Sequence, residues 1–172
     1  MFEINYFQQK IKDWEKKKVK LLSLMGERNL NYVGSNYTTY NPIDEDIKLE
    51  NEIKIIFSEE LNDLKYQIGF ENYKIDYVWF QEELNNMHHP VHNHGYGISC
   101  ICYLDFDPSC HYPTVFLSPY IDPISGLYEK YIPDDVESGT IIFFPSTLLH
   151  YTLPNTSQKS RKILSFNLKF NT

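Results

Sequence analysis

The second half of the sequence is a succession of short runs rich in β-branched and aromatic residues, separated by Gly, Pro, Asn and Asp. Such runs predict β-strands, and the residues between them predict turns. Six or more strands at this spacing are typical of a sandwich or a jelly-roll barrel. We therefore expect a mainly β fold with helices packed outside it. The runs are YKIDYVWF (73–80), GISCICYLDF (97–106), PTVFLS (113–118), GTIIFFP (139–145), LLHYTL (148–153) and RKILSFNLKF (161–170).

The first part of the chain predicts helices instead. Residues 4–24 carry Phe7, Ile11 and Trp14 at helical spacing, and residues 44–65 form a second helical pattern that opens on acidic residues. Residues 26–43 are polar and rich in Asn and Tyr, which predicts a loop. A chain of 172 residues is one domain's worth. We expect a single domain, 1–172, with a mainly helical part at 1–70 and a β-barrel core at 71–172 that carries the functional site.

Charge and apolar content narrow the possible partners. The net charge of −7 argues against a broad nucleic-acid surface, since phosphate binding needs an excess of Lys and Arg on one face. The basic cluster KIKDWEKKKVK (10–20) suits the solvated face of an amphipathic helix. No apolar run approaches the roughly 20 residues of a membrane helix, and the first residues lack a signal-peptide pattern. We expect a cytoplasmic protein without membrane contact, whose Cys100 and Cys102 are buried thiols.

Four of the six histidines fall in the segment NNMHHPVHNHGYG, residues 85–97. If a strand after Pro90 extends through His92 and His94, their side chains lie on the same side, where two imidazoles can chelate one ion. A third ligand must then come from elsewhere, and His150 in GTIIFFPSTLLHYTLPN is the candidate. Taken alone, His150 also suits a core or edge histidine, and the histidine-rich segment also suits an exposed loop or a proton sensor.

The last strand carries a second polar cluster. Arg161, Ile163, Ser165 and Asn167 share one face, while the residues between them are apolar from Leu164 onward. Burying an unpaired Arg is costly, so Arg161 requires a carboxylate partner, either a side chain or a ligand.

Together these residues resemble a known family. The order HNHGYGISCICYL, GTIIFFPSTLLHYTLPN, RKILSFN is similar to Fe(II)- and 2-oxoglutarate-dependent oxygenases, in particular a small bacterial and phage group related to prolyl hydroxylases. The resemblance covers roughly residues 75–170. It implies a double-stranded β-helix, an Fe(II) site, 2-oxoglutarate as co-substrate and O2. It also implies that His92 and His150 bind the metal, that Arg161 binds the far carboxylate of 2-oxoglutarate, and that Tyr103, Ser165 and Asn167 lie at the co-substrate.

The chain departs from the family pattern at one metal ligand. His94 stands where these oxygenases usually carry the acidic residue of an HxD/E motif. A third neutral imidazole leaves the double positive charge of the iron uncompensated until 2-oxoglutarate binds as a dianion. We therefore expect a metal site formed by His92, His94 and His150, with Asp105 or Asp107 as an alternative source of a carboxylate.

Two other functions stay open at this point. GTIIFFPSTLLHYTLPN also resembles the second motif of cupins, which use HxH, although the glutamate that follows HxH in cupins has no counterpart here. A non-catalytic jelly-roll binding module is the other alternative. For the oxygenase, we expect hydroxylation of a protein side chain, of prolyl type, or of a small molecule. Residues 26–43 and 107–130 are the segments expected to shape the substrate site.

Overall fold

The computed structural model describes residues 6–40 and 46–170. Within these residues, ten strands and three helices form two antiparallel sheets with helices outside them, as the strand pattern predicts. The elements are β1 (Phe7–Lys10), α1 (Trp14–Gly26), β2 (Asn31–Val33), β3 (Asn36–Thr38), α2 (Ile47–Ile56), α3 (Ser58–Ile68), β4 (Tyr73–Glu83), β5 (Ile98–Asp105), β6 (Val115–Ile121), β7 (Tyr128–Tyr131), β8 (Thr140–Pro145), β9 (His150–Tyr151) and β10 (Arg161–Phe170).

The larger sheet has seven strands in the order β1-β8-β5-β10-β4-β3-β2, and the smaller has three in the order β7-β6-β9. At the centre of the larger sheet, β10 pairs with β4 on one side and β5 on the other. The two faces of β10 differ as the sequence predicts. Leu164, Phe166 and Leu168 pack into an apolar cluster with the three helices, whereas Ile163 belongs to a second cluster between the sheets.

The N-terminal prediction is wrong over its first turns. The segment from Phe7 to Lys10 is a strand that pairs antiparallel with β8, and the helix begins only at Trp14. Phe7 lies opposite Phe143, with ring centroids 6.3 Å apart. The edge of β8 supplies backbone partners that a sequence pattern does not display. Phe7 in the strand and Ile11 just after it reach the same apolar core that they would reach from a helix.

The next two predictions also need correction. The helix predicted over 44–65 is two helices, because the chain turns at Phe57, whose buried ring packs on Phe166. Residues 41–45 lie outside the described residues, and the side chain of Asp46 caps α2 by accepting from the backbone N–H of Leu49. The segment predicted as a loop contains the hairpin β2–β3, which turns at Gly34 with a φ of +67°.

Candidate metal centre and co-substrate site

Three of the histidines meet at one point between the two sheets. His92, His94 and His150 each offer a ring nitrogen, and these nitrogens lie within 4.8 Å of one another. A two-residue backbone bridge joins the segment of His92 to β9, since each of His92 and His150 donates its N–H to the other's carbonyl at 3.0 Å. His94 is held in turn by its N–H, which donates to the carbonyl of Ser146 at 2.8 Å. The HxH pair therefore lies on a bridged loop and not on a continuous strand.

Hydrogen bonds fix which nitrogen two of these rings present. Nδ1 of His92 lies 2.8 Å from the carbonyl of Pro90, and Nδ1 of His150 lies 2.9 Å from the carbonyl of Leu148. A carbonyl oxygen only accepts, so Nδ1 carries the proton in both rings and Nε2 keeps a free lone pair. Metal-binding histidines are commonly oriented in this way. The donor set therefore fits a divalent metal ion.

The surroundings also keep the three imidazoles neutral, which is the form that binds metal. Burial, followed by the neighbouring His92 and Lys169, lowers the pKa of His94 to about 4. The pKa of His150 lies well below its ordinary value, mainly through burial. Burial also lowers the pKa of His92, although its bond to Pro90 opposes this shift.

His89 lies next to the three histidines without joining them. Its ring stacks on that of His92, with centroids 4.0 Å apart and planes inclined by 18°. Its Nδ1 lies 2.5 Å from the amide of Gln81 and 3.1 Å from the amide of Asn36. Burial and the neighbouring histidines lower its pKa to about 3. These contacts make His89 a neutral support for the ring of His92.

No carboxylate completes the histidine cluster among the described residues. Asp105, one of the two alternatives, pairs with Lys18 of α1 at 2.9 Å and with Lys162. Asp107, the other, pairs with Lys159 and accepts from the backbone of Ser109. Both carboxylates are engaged away from the histidines, so neither supplies the missing acidic ligand in this structure.

Arg161 is buried, with 2% of its surface exposed, and it has a partner that the sequence did not identify. Its Nη1 donates to Oε2 of Glu83 at 3.0 Å, and the other oxygen of Glu83 accepts from the hydroxyl of Thr152 at 2.7 Å. Glu83 stands opposite Arg161 in the β4–β10 register, on the same face of β4 as Gln81. The spacing of Gln81 and Glu83 indicates from the sequence that the two side chains share a face of their strand. It does not reveal that this strand pairs with β10, which is what places Glu83 opposite Arg161.

One edge of the guanidinium is still free. Nε of Arg161 has no hydrogen-bond partner among the described residues, and Nη2 reaches only the hydroxyl of Thr114, at 3.4 Å. Nε and the adjacent Nη2 form a fork that matches a carboxylate. An unpaired buried donor of this kind fits a carboxylate ligand such as one end of 2-oxoglutarate.

The remaining predicted residues surround this region in different ways. Tyr103 is fully buried with its ring 5.4 Å from Cζ of Arg161, and its hydroxyl donates to Thr114 at 3.2 Å. Ser165 lines a cavity of about 20 Å³ whose walls also hold the three histidines. That volume suits about one water molecule.

Asn167 serves a different contact. Its side-chain oxygen accepts from the hydroxyl of Ser99 at 2.8 Å, and Ser99 bonds the hydroxyl of Ser146 at 2.9 Å. Ser146 is the residue whose carbonyl holds the backbone of His94. Asn167 thus supports the turn beneath His94 through two hydroxyls.

Comparison with known proteins agrees with this geometry. The family model of 2OG-Fe(II) oxygenases matches residues 77–167, more than half of the chain. The chain belongs to this family. Its members are enzymes that use Fe(II), 2-oxoglutarate and O2, and the match decides against the cupin and the non-catalytic module. Among curated protein sequences, none matches this oxygenase.

Solved structures show the same fold. The viral collagen prolyl hydroxylase vCPH from Paramecium Bursaria Chlorella virus-1, in complex with 2OG, has a TM-score of 0.63 at 15% identity, covering 97% of this chain and 96% of its own. HygX from Streptomyces hygroscopicus, with nickel, 2-oxoglutarate and hygromycin B bound, has a TM-score of 0.73 at 9% identity, covering 98% and 84%. The epimerase SnoN from nogalamycin biosynthesis has a TM-score of 0.75 at 12% identity, covering 97% and 78%. These likenesses confirm the double-stranded β-helix.

Membrane insertion through a helix finds no support in the structure. Among the described residues, no helix has the length and apolar character needed to cross a bilayer.

Proposed function

We propose that this oxygenase holds Fe(II) on His92, His94 and His150, binds 2-oxoglutarate through Arg161, and hydroxylates a protein side chain of prolyl type or a small molecule. The observation that supports this most directly is that the fold provides both a group of metal-binding side chains and a group that can bind a carboxylate. The neutral histidines present free ring nitrogens, and Nε of the buried guanidinium has no partner among the described residues. Fe(II), when bound, supplies the redox chemistry that couples O2 reduction and decarboxylation of 2-oxoglutarate to oxidation of a C–H bond.

Arg161 has the role of binding the C5 carboxylate through its Nε and Nη2. Glu83 holds Nη1 and so fixes the plane of the guanidinium. Tyr103 supports the same group from its other side through Thr114, whose hydroxyl contacts both residues. Since all four side chains are buried, a charge-assisted pair formed here is shielded from competing water.

Three imidazoles in place of two imidazoles and a carboxylate change the charge of the site. Imidazole ligands carry no negative charge, and burial keeps these three rings from gaining a positive one. A co-substrate dianion then supplies the compensation that the protein does not. We therefore expect metal and 2-oxoglutarate to bind with mutual reinforcement, each raising the affinity of the other.

The decisive experiment combines binding with turnover. Purified protein is mixed anaerobically with Fe(II) and 2-oxoglutarate, and the metal-to-ligand charge-transfer band is recorded. O2 is then admitted and succinate is measured. We expect a band that requires both components, followed by succinate formation. Binding of 2-oxoglutarate that is absent, or that is indifferent to metal, would contradict the proposal.

A further inference from the structure

A cavity of about 330 Å³ opens beside the proposed metal ligands. The hairpin β2–β3, the strand β4 and the segment that leads to His92 form its walls, and His92 and His94 are part of its lining. The volume lies in the range of ligand-binding sites. A group that enters this cavity is therefore brought against the metal site.

The cavity has no ionic partner to offer its occupant. Among the described residues that line it there is no Asp, Glu, Lys or Arg. The nearby ions Arg161 and Glu83 are paired with each other. Once 2-oxoglutarate balances the charge of the metal, a charged group would lose its hydration here without gaining a counter-ion, which strongly disfavours its entry.

An aromatic wall makes the cavity favourable for an apolar group. The ring of Trp79 lies 5.2 Å from that of His94 and meets Tyr40 edge-on at 5.6 Å. Trp79 is fixed in this position, because only 4% of its surface is exposed. The part of the ring that lines the cavity supplies an apolar contact beside the proposed metal ligands.

A second cavity of about 250 Å³ adjoins the first, and the two share Tyr40 as a wall. This neighbour is more polar than the first and includes the ion pair of Arg28 and Asp46, whose charged atoms are 2.7 Å apart. Asn31 lines the second cavity and Val33 lines the first. Both cavities are therefore reached from β2, but on β4 Val78 lines the second cavity and Trp79 lines the first, and successive residues of a strand point to opposite faces.

β2 is also the last strand of the seven-stranded sheet in the described part of the chain. Its three residues are exposed. An edge strand of this kind presents backbone N–H and C=O groups that an extended peptide can pair with, while pockets beside the edge receive alternate side chains.

We propose that the substrate is an extended peptide that pairs along β2 and places an uncharged apolar side chain, proline included, in the cavity beside His92 and His94. This inference rests on the proposed function, because the cavity is a substrate site only if the histidines hold the metal.

The experiment uses a library of blocked random heptapeptides as its probe. The full-length protein is loaded with Ni(II) and 2-oxoglutarate, retained peptides are sequenced by mass spectrometry, and 2-oxoglutarate binding is titrated on the same sample. We expect one peptide position to be enriched in Pro, Val, Ile and Leu, with Asp, Glu, Lys and Arg depleted there by about tenfold or more.

Two matched variants place a charge on neighbouring residues of β2. Val33→Asp puts a carboxylate into the apolar cavity and should abolish the selection, whereas Tyr32→Asp puts it on the opposite face of the strand and should preserve it. Both should bind 2-oxoglutarate as the unmodified protein does. Absence of position-specific enrichment, preference for a charged residue at that position, or unchanged selection in Val33→Asp overturns the inference. If 2-oxoglutarate itself fails to bind, the proposed function falls, and the inference falls with it.

Discussion

At the scale of single residues, the bridged pair His92 and His150 carries the first prediction. Both rings present Nε2 because carbonyl oxygens hold their Nδ1 protons. We expect His92→Ala and His150→Ala to lose stoichiometric metal, measured by elemental analysis after loading with Fe(II) under anaerobic conditions. His88→Ala is the control and should retain metal, since His88 is not in the cluster. Metal loss in His88→Ala with retention in His92→Ala would show that the ligands are assigned wrongly.

His94 carries a prediction of its own, because in the proposed metal site it stands where an acidic ligand is usual. We expect His94→Asp to bind Fe(II), since a carboxylate at this position is the commoner solution in non-haem iron sites. The shorter side chain should lower turnover more than metal content. His94→Ala should bind metal weakly, and calorimetric titration of the two variants compares them directly. Full metal affinity and full turnover in His94→Ala would exclude His94 as a ligand.

Arg161 must be tested together with Glu83, because each is the other's buried counter-ion. Arg161→Leu leaves a buried carboxylate unpaired and should destabilise the fold by about 3 to 5 kcal/mol. The double variant Glu83→Gln/Arg161→Leu removes that charge and should recover part of the stability in urea unfolding.

The same double variant separates stability from co-substrate binding. Losing one partner of a buried charge pair costs about 2 to 5 kcal/mol, so 2-oxoglutarate affinity should fall about thirtyfold or more while metal still binds. Glu83→Gln alone should keep 2-oxoglutarate binding, because Nε and Nη2 of Arg161 remain. Wild-type affinity in the double variant would remove Arg161 from the co-substrate site.

At the scale of elements, Gly97 allows the chain to pass from the segment of His92 and His94 into β5. Its φ is +106°, and a Cβ at this position would overlap the backbone carbonyl of Leu168 on β10. We expect Gly97→Ala to destabilise the protein by about 3 kcal/mol or more in urea unfolding. Gly95→Ala is the matched control, since Gly95 also has a positive φ, of +79°, but faces open space. Gly95→Ala should lower the free energy of unfolding by only about 1 kcal/mol. Equal losses in the two variants would show that the structure relieves the overlap at Gly97.

At the scale of the whole molecule, the buried histidines should make the metal-free protein sensitive to acid. The unfolded chain protonates these imidazoles near pH 6.5, whereas the folded protein keeps His94 neutral to about pH 4 and His89 to about pH 3. The unfolded state therefore binds more protons between these values, and stability falls as the pH is lowered through that window. We expect a lower Tm at about pH 5 than at about pH 7 in chelator-treated protein.

A variant tests whether His89 contributes to that dependence. His89→Asn removes one imidazole that the fold holds neutral, so the decrease in Tm between the two pH values should become smaller. A Tm that is independent of pH over this range in the unmodified protein would contradict the burial of the cluster in its neutral form.

Much of this protein follows from its sequence alone. The strands β5, β8 and β10 match runs of β-branched and aromatic residues, because alternation along a strand depends only on which faces are buried. The order of HxH, His150 and Arg161 indicates the oxygenase family for a related reason. Metal and carboxylate chemistry restrict the residue types at a few positions, and those types are visible in the sequence.

The tertiary structure decided what depends on pairing between distant segments. Phe7 to Lys10 became a strand because the edge of β8 was available to it. Glu83 met Arg161 because β4 and β10 are neighbours in that register, which also leaves only one edge of the guanidinium for a ligand. The cavity along β2 likewise needs the hairpin beside β4. Local periodicity specifies which face of each strand or helix is buried. Which strands pair depends on the free energy of the whole fold, and no single segment of the sequence determines it.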